Sequence, residues 1–196
     1  MRERGNRVAG IAGLVFLLTL LWAGPPADAG EPKYRRTIER YDVPAVTLVN
    51  QDGRKVDLRA LLLESDKSVL VDFIYGTCTT ICPILSVGFS NFQKRLGEES
   101  AGVRLVSISI DPDHDTPEIM KEYLERYESR PGWDFLTGKR EDIVAVMRAF
   151  DAYVPNKMSH YPLTILRAPD ADHWVRIYGL LGTTDLMAEY RKVTGK

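Results

Sequence analysis

The chain has 196 residues, 44% of them hydrophobic, and a formal net charge of −1. That length and composition suit one globular domain with its own apolar core. The balanced charge, with no Lys/Arg stripe interleaved with aromatics, gives no footing for nucleic acid as a partner.

In chain order, residues 1–29 stand apart. Arg2, Arg4 and Arg7 precede the uncharged run VAGIAGLVFLLTLLWAG, and PPADAG follows with the small-x-small triplet Ala27-Asp28-Ala29. This is the pattern of a cleaved secretory signal peptide. An uncleaved membrane anchor is the alternative, but the apolar run of about 16 residues is short of the ~20 needed to span a bilayer. Either way the globular part is expected to be exported. Residues 30–42 are polar and read as a loose linker, which leaves residues 43–196 as the folded domain.

VTLVNQDGRKVDL places Asp52-Gly53 between two short strand-like runs and predicts a hairpin. DLRALLLE is a short helix. SVLVDFIY is β-branched and aromatic, the composition of a buried strand. After two cysteines, Leu85, Phe89, Phe92 and Leu96 recur at helical spacing. VRLVSISI predicts a second buried strand. DTPEIMKEYLERY opens with Asp115, Pro117 and Glu118 and predicts a helix capped by Asp115. GWDFLTG is a short strand, REDIVAVMRAF a helix, PLTILRA and HWVRIYG a strand pair across PDAD, and TTDLMAEYRKV a closing helix.

Strands alternating with helices predict a central sheet with parallel members and covering helices. The closing strand–strand–helix adds an antiparallel edge. With two cysteines at the junction of a central strand and a helix, the expected class is α/β: a thioredoxin-like mixed sheet flanked by helices, extended by an N-terminal β-hairpin.

Cys78 and Cys82 are the only cysteines. In an exported protein a disulfide is permitted, but a bridge over so short a loop adds little stability. If the helix begins near Thr80, Pro83 falls in the first turn, where its missing N–H costs nothing. Cys82 then lies at the helix N-terminus, where the dipole is expected to lower its pKa. Two such thiolates can bond each other or share one soft ion, Cu(I) or Zn(II), with imidazole or thioether completing the shell. Spacing does not choose between these. Thioredoxin-type redox motifs have two intervening residues rather than three, and haem attachment needs a histidine directly after the second cysteine.

Of the three histidines, His114 in DPDHDTP and His173 in DADHWVRIYG read as solvated loop residues. His160, in NKMSHYPLTIL, precedes a strand whose leading loop faces the cysteine helix in a thioredoxin-like fold, so it is the best-placed third ligand. Met158 offers a thioether two residues away, although methionine more often fills space. Tyr75, Ile81 and Trp133 read as core.

Cys78-x-x-x-Cys82-Pro83 after an apolar strand, SIDPDHDTP, WDFLTG and His160 before PLTIL together resemble the Sco/SenC family of copper-binding assembly proteins, from about Val43 to Arg191. The resemblance implies a thioredoxin-like domain holding one copper ion, Cu(I) or Cu(II), through Cys78, Cys82 and His160. It implies a role in maturing the dinuclear copper site of cytochrome c oxidase. The partner would be that enzyme's copper-receiving subunit or another copper enzyme. The expected location is the periplasm or the outer face of the inner membrane, with a possible tether through the N-terminus. Two positions depart from the usual pattern: Thr79 replaces a proline, and Ser159 replaces an aspartate expected to orient the imidazole. Asp111 and Asp115 match the pattern; Asp111 is a candidate for tuning the cysteine site or docking a partner. The alternative function is a thiol–disulfide oxidoreductase or thiol peroxidase working through Cys78 and Cys82. Thr77, Thr79 and Thr80 stand near for a peroxidase, but no arginine is close in sequence.

Overall fold

The computed structural model describes Met1 and residues 34–196; the signal-peptide reading of residues 1–29 lies outside the described residues. In residues 34–196 an eight-stranded sheet runs in the order β1-β8-β7-β4-β5-β6-β2-β3. The strands are β1 (Arg35–Glu39), β2 (Thr47–Asn50), β3 (Lys55–Asp57), β4 (Ser68–Ile74), β5 (Val103–Ser109), β6 (Trp133–Thr137), β7 (Leu163–Arg167) and β8 (Trp174–Tyr178). The helices are α1 (Leu58–Leu63), α2 (Cys82–Leu96), α3 (Pro117–Arg126), α4 (Arg140–Ala149) and α5 (Thr183–Thr194).

β4 is apolar but for Ser68 and Asp72, and β5 mixes apolar residues with Arg104, Ser107 and Ser109; both strands are buried almost throughout because both of their faces are covered. All seven residues of β4 are buried. β4 pairs parallel with β5 and β5 parallel with β6, while β7 runs antiparallel to β4. The end of β4, the end of β5 and the start of β7 therefore meet at one edge of the sheet. In parallel sheets that carboxyl edge is where sites form.

Side-chain alternation sorts the two faces. On one, α2 packs on α5 through Phe92 and Tyr190, ring centroids 5.3 Å apart, and α3 joins through a 2.8 Å hydrogen bond between Ser86 and Tyr123. On the other, Phe73 of β4 meets Phe150 just after α4, at 5.9 Å. The predicted helical stripe Leu85, Phe89, Phe92 and Leu96 is buried in full.

The expected hairpin forms as β2–β3, with Gly53 at φ 73° in its turn, but it is a continuous edge of the sheet, paired to β6, rather than an appendage. Two local readings change. Residues 30–42, expected as linker, include β1, which pairs along its whole length with β8. The cap of α3 is Thr116, whose hydroxyl accepts from the Ile119 N–H, and not Asp115. Among the described residues no helix is long and apolar enough to cross a membrane.

Candidate metal centre

β4 ends at Ile74, and a loop carries Tyr75 to Ile81 into α2. Cys78 sits on that loop and Cys82 is the first residue of the helix; both are buried and neither is in a disulfide. His160 follows a single 3-10 turn, Lys157–Ser159, and leads into β7. These three residues, distant in sequence, converge: their ligand atoms all lie within 4.8 Å of one another. The His160 Nε2 is 3.2 Å from Cys82 Sγ and 4.0 Å from Cys78 Sγ.

The imidazole is oriented from behind. Its Nδ1 lies 2.7 Å from the Lys157 carbonyl oxygen. A carbonyl only accepts, so Nδ1 carries the proton and Nε2 presents a lone pair to the sulfurs. The residue before the histidine, Ser159, is exposed. The orienting acceptor that an aspartate there was expected to supply is a backbone carbonyl instead. Burial lowers the His160 pKa, only partly opposed by that carbonyl, and so favours the neutral, ligating ring.

Two aspartates lock the three loops together. Asp115 is 1% exposed. It accepts from the Ser109 hydroxyl at the end of β5 (2.5 Å) and from the Gly76 N–H on the cysteine loop (3.0 Å). A Cβ at position 76 would stand 2.9 Å from the same carboxylate, so only glycine permits this approach. Asp111 pairs with Lys157 Nζ, on the turn that carries His160, and with His114 Nδ1 at 3.1 Å. Asp111 thus acts on the site by anchoring the histidine loop.

The two thiols differ sharply. Burial pulls the Cys78 pKa up. The Cys82 thiol beside it, the Thr80 and Cys82 backbone N–H groups and the Thr80 hydroxyl together outweigh that, and bring it down to about 7. Cys82 moves the other way. Burial first, then negative charge on Cys78 and Asp72, push it far above the ordinary thiol value. The expectation that the helix N-terminus would make Cys82 the acidic thiol is therefore reversed. The residue is 0% exposed, and desolvation exceeds what the first-turn dipole supplies.

Two residues near the site have a weight the sequence reading missed or undervalued. Asp72, in the middle of β4, is 0% exposed and neither carboxylate oxygen has a hydrogen-bond partner. Desolvation raises its pKa to about 7; Ser107, opposite in register, offsets a little of this without a bond of ordinary geometry. A lone acid inside SVLVDFIY was the visible signal. Tyr75 is core, as expected, yet its ring meets the His160 ring edge-on at 5.1 Å and its hydroxyl donates to Met158 Sδ at 3.4 Å. His114 and His173 stay outside the cluster, each beside an aspartate, Asp111 and Asp172 respectively. Trp133 is core, with its indole N–H on Ser107.

Two cysteine sulfurs and a neutral imidazole around one point suit a single soft ion of low coordination number, bound once the thiols give up their protons. The same two sulfurs suit reversible disulfide formation.

Comparison with known proteins agrees with this geometry. A protein of Bacillus subtilis, SCO1 protein homolog, is 34% identical over 146 residues, which cover 73% of this chain and 70% of that one. The structure is similar to that of BsSco, a member of the Sco family of cytochrome c oxidase assembly proteins in which a disulfide switch has been identified. The two share 30% identity with a TM-score of 0.64, covering 79% of this chain and 94% of the other. It is also similar to copper-bound ScoI of Bradyrhizobium japonicum, at 27% identity and a TM-score of 0.61, covering 75% and 96%. The SCO1/SenC family model matches residues 40–192, a span that holds both cysteines, both anchoring aspartates and His160, and the chain belongs to the SCO1/SenC family.

Proposed function

We infer that this protein is an exported copper chaperone that carries one copper ion on Cys78, Cys82 and His160. Its proposed task is delivery to the copper-receiving subunit of cytochrome c oxidase or to another copper enzyme. The observation that carries this reading is the convergence of three ligand atoms within 4.8 Å, with both cysteines free. Copper in a relative of the same fold supports the choice of metal. The pattern of residues 1–29 supports export, to the periplasm or the outer face of the inner membrane.

Copper is cargo here, so the site must load and unload. The thiolates favour Cu(I), and the imidazole makes the same site able to hold Cu(II). Three protein ligands leave the ion open to an incoming thiolate or imidazole, which replaces them one at a time. Oxidation to a Cys78–Cys82 disulfide removes both sulfur ligands, so loading is coupled to thiol redox state.

Spectroscopic titration of the reduced protein tests the assignment. One equivalent of Cu(II) should give thiolate-to-copper charge-transfer absorption. Cys78→Ser or Cys82→Ser should abolish stoichiometric binding, and His160→Ala should weaken Cu(II) more than Cu(I). A Cu(II) spectrum left unchanged by His160→Ala would reject the ligand set.

The unequal thiols favour one further reading. The more acidic Cys78 on the loop and the protonated Cys82 at the helix start form an attacking and resolving pair. Acting on a client disulfide, Cys78 would form a mixed disulfide and Cys82 would release the reduced client. Two electrons and two protons pass to the client, and a Cys78–Cys82 disulfide remains. Strong copper colour with negligible disulfide turnover selects the chaperone; the converse selects the reductase.

A further inference from the structure

Met158 has no place in the site described so far, yet its position is not that of a packing residue. It is 70% exposed, whereas a space-filling methionine is buried, as Met120 and Met147 are. The turn that carries it is fixed. Asn156 Oδ1 accepts from the Met158 N–H at 3.0 Å, the Ser159 N–H donates to the Asn156 carbonyl at 2.9 Å, and Lys157 is held by Asp111. The sulfur is held too, by the Tyr75 hydroxyl at 3.4 Å.

Tyr75 joins this sulfur to the cluster. It is 3% exposed, its ring meets the His160 imidazole edge-on, and its carbonyl oxygen accepts from the Cys78 N–H at 3.1 Å. Its hydroxyl donates to the Met158 sulfur. One buried tyrosine therefore contacts the Cys78 backbone, the imidazole and an exposed thioether. A thioether is soft, neutral and carries no proton to displace, so it takes Cu(I) in preference to Cu(II).

We propose that Met158 Sδ is an outer ligand for Cu(I), which receives the ion as it leaves Cys78 and presents it to the acceptor. The inference rests on the copper reading above. The step is ligand exchange with no change of oxidation state. A Cu–Sδ bond to Met158 forms as the Cu–Sγ bond to Cys78 breaks. The Tyr75 hydroxyl releases the thioether as the new bond forms, and Cys78 is left as a thiolate. Loading runs through the same steps in reverse.

The test uses the full chain loaded with one equivalent of Cu(I), mixed with an excess of bathocuproine disulfonate and followed by stopped-flow absorbance. Met158→Leu keeps the size and apolarity of an exposed side chain and removes only the sulfur. Transfer to the chelator should slow by about tenfold, in the range of losing one supporting metal contact, with stoichiometry and Cu(II) spectrum unchanged. Tyr75→Phe, which frees the thioether, should speed transfer. Equal rates for wild type and Met158→Leu would overturn the proposal. So would loss of stoichiometric Cu(I) binding in Met158→Leu, which would make Met158 an inner ligand. Wild-type protein that binds no copper would reject the copper reading itself, and this inference with it.

Discussion

At the scale of single residues, the cysteines define how the site responds to pH. Copper binds thiolates, so loading must displace whatever protons the two sulfurs hold. Burial pushes the Cys82 thiol far above its ordinary value, so it keeps its proton through neutrality, while Cys78 is brought down to about 7. His160 is kept neutral and contributes none above mild acidity. Affinity for Cu(I) should therefore rise with pH by about tenfold per unit above neutrality, where one proton is displaced, and by about a hundredfold per unit below it, where two are. Competition titrations across that range would show the break; a single slope throughout would mean that the thiols are equivalent. The grouping of Cys78, Cys82 and His160 was legible in the sequence, from the strand-to-helix junction that holds the cysteines and the loop before β7 that holds the histidine. Their acidities were not. The dipole at a helix start follows from the chain's local order, whereas burial of Cys82 depends on what the rest of the molecule lays over it. The same limit applies to Asp115. Local order points to Asp115 as the cap, and only the approach of Gly76, on the loop after β4, diverts it to another role.

At the scale of elements, β4 supports the site and holds its least comfortable residue. Its apolar run was legible as a buried strand. Asp72 drew no weight because hydrophobic periodicity averages over one acid. Its carboxyl keeps its proton in the folded protein up to about pH 7, against about 3.8 in the unfolded chain. Between these values the folded state holds a proton that the unfolded state has lost, so this group lowers stability as pH rises. Below the lower value the cost is absent; above the upper one it is complete. Asp72→Asn cannot ionise. The variant's stability relative to wild type should thus grow with pH, by ~2–4 kcal/mol between acid and mildly alkaline solution. Urea unfolding of both proteins at several pH values measures this. The amide carries a constant penalty of its own, so only the pH-dependent part is diagnostic. A difference that stays constant with pH would show that Asp72 is not the buried acid described here.

At the scale of the whole molecule, what the sequence left hidden lies where long-range pairing alone makes the structure. The central strands announce themselves by composition. β1 does not: RRTIE has two exposed arginines at its start and no apolar alternation, and it becomes a strand only because β8 offers an open edge. The far end of the chain explains why it stays there. Glu189 in α5 is 1% exposed. It is held by the Tyr34 hydroxyl at 2.8 Å, Arg36 Nε at 2.9 Å and Lys192 Nζ at 2.7 Å. Two of those three partners come from the β1 segment, so a buried carboxylate ties the first described residues to the last helix. Removing them strands a charge inside the protein, which costs more than the pair contributes when intact. Tyr34→Phe combined with Arg36→Leu should therefore destabilise the protein by ~2 kcal/mol, lowering the melting temperature by about 4–8 °C for a chain of this size. Adding Glu189→Gln to that double variant should recover most of the loss, because the stranded charge is then gone. Thermal unfolding of the three proteins decides it. A double variant that melts with wild type would mean that Lys192 alone satisfies Glu189. A loss that Glu189→Gln fails to repair would mean that β1 is held by its ladder with β8 and not by the carboxylate.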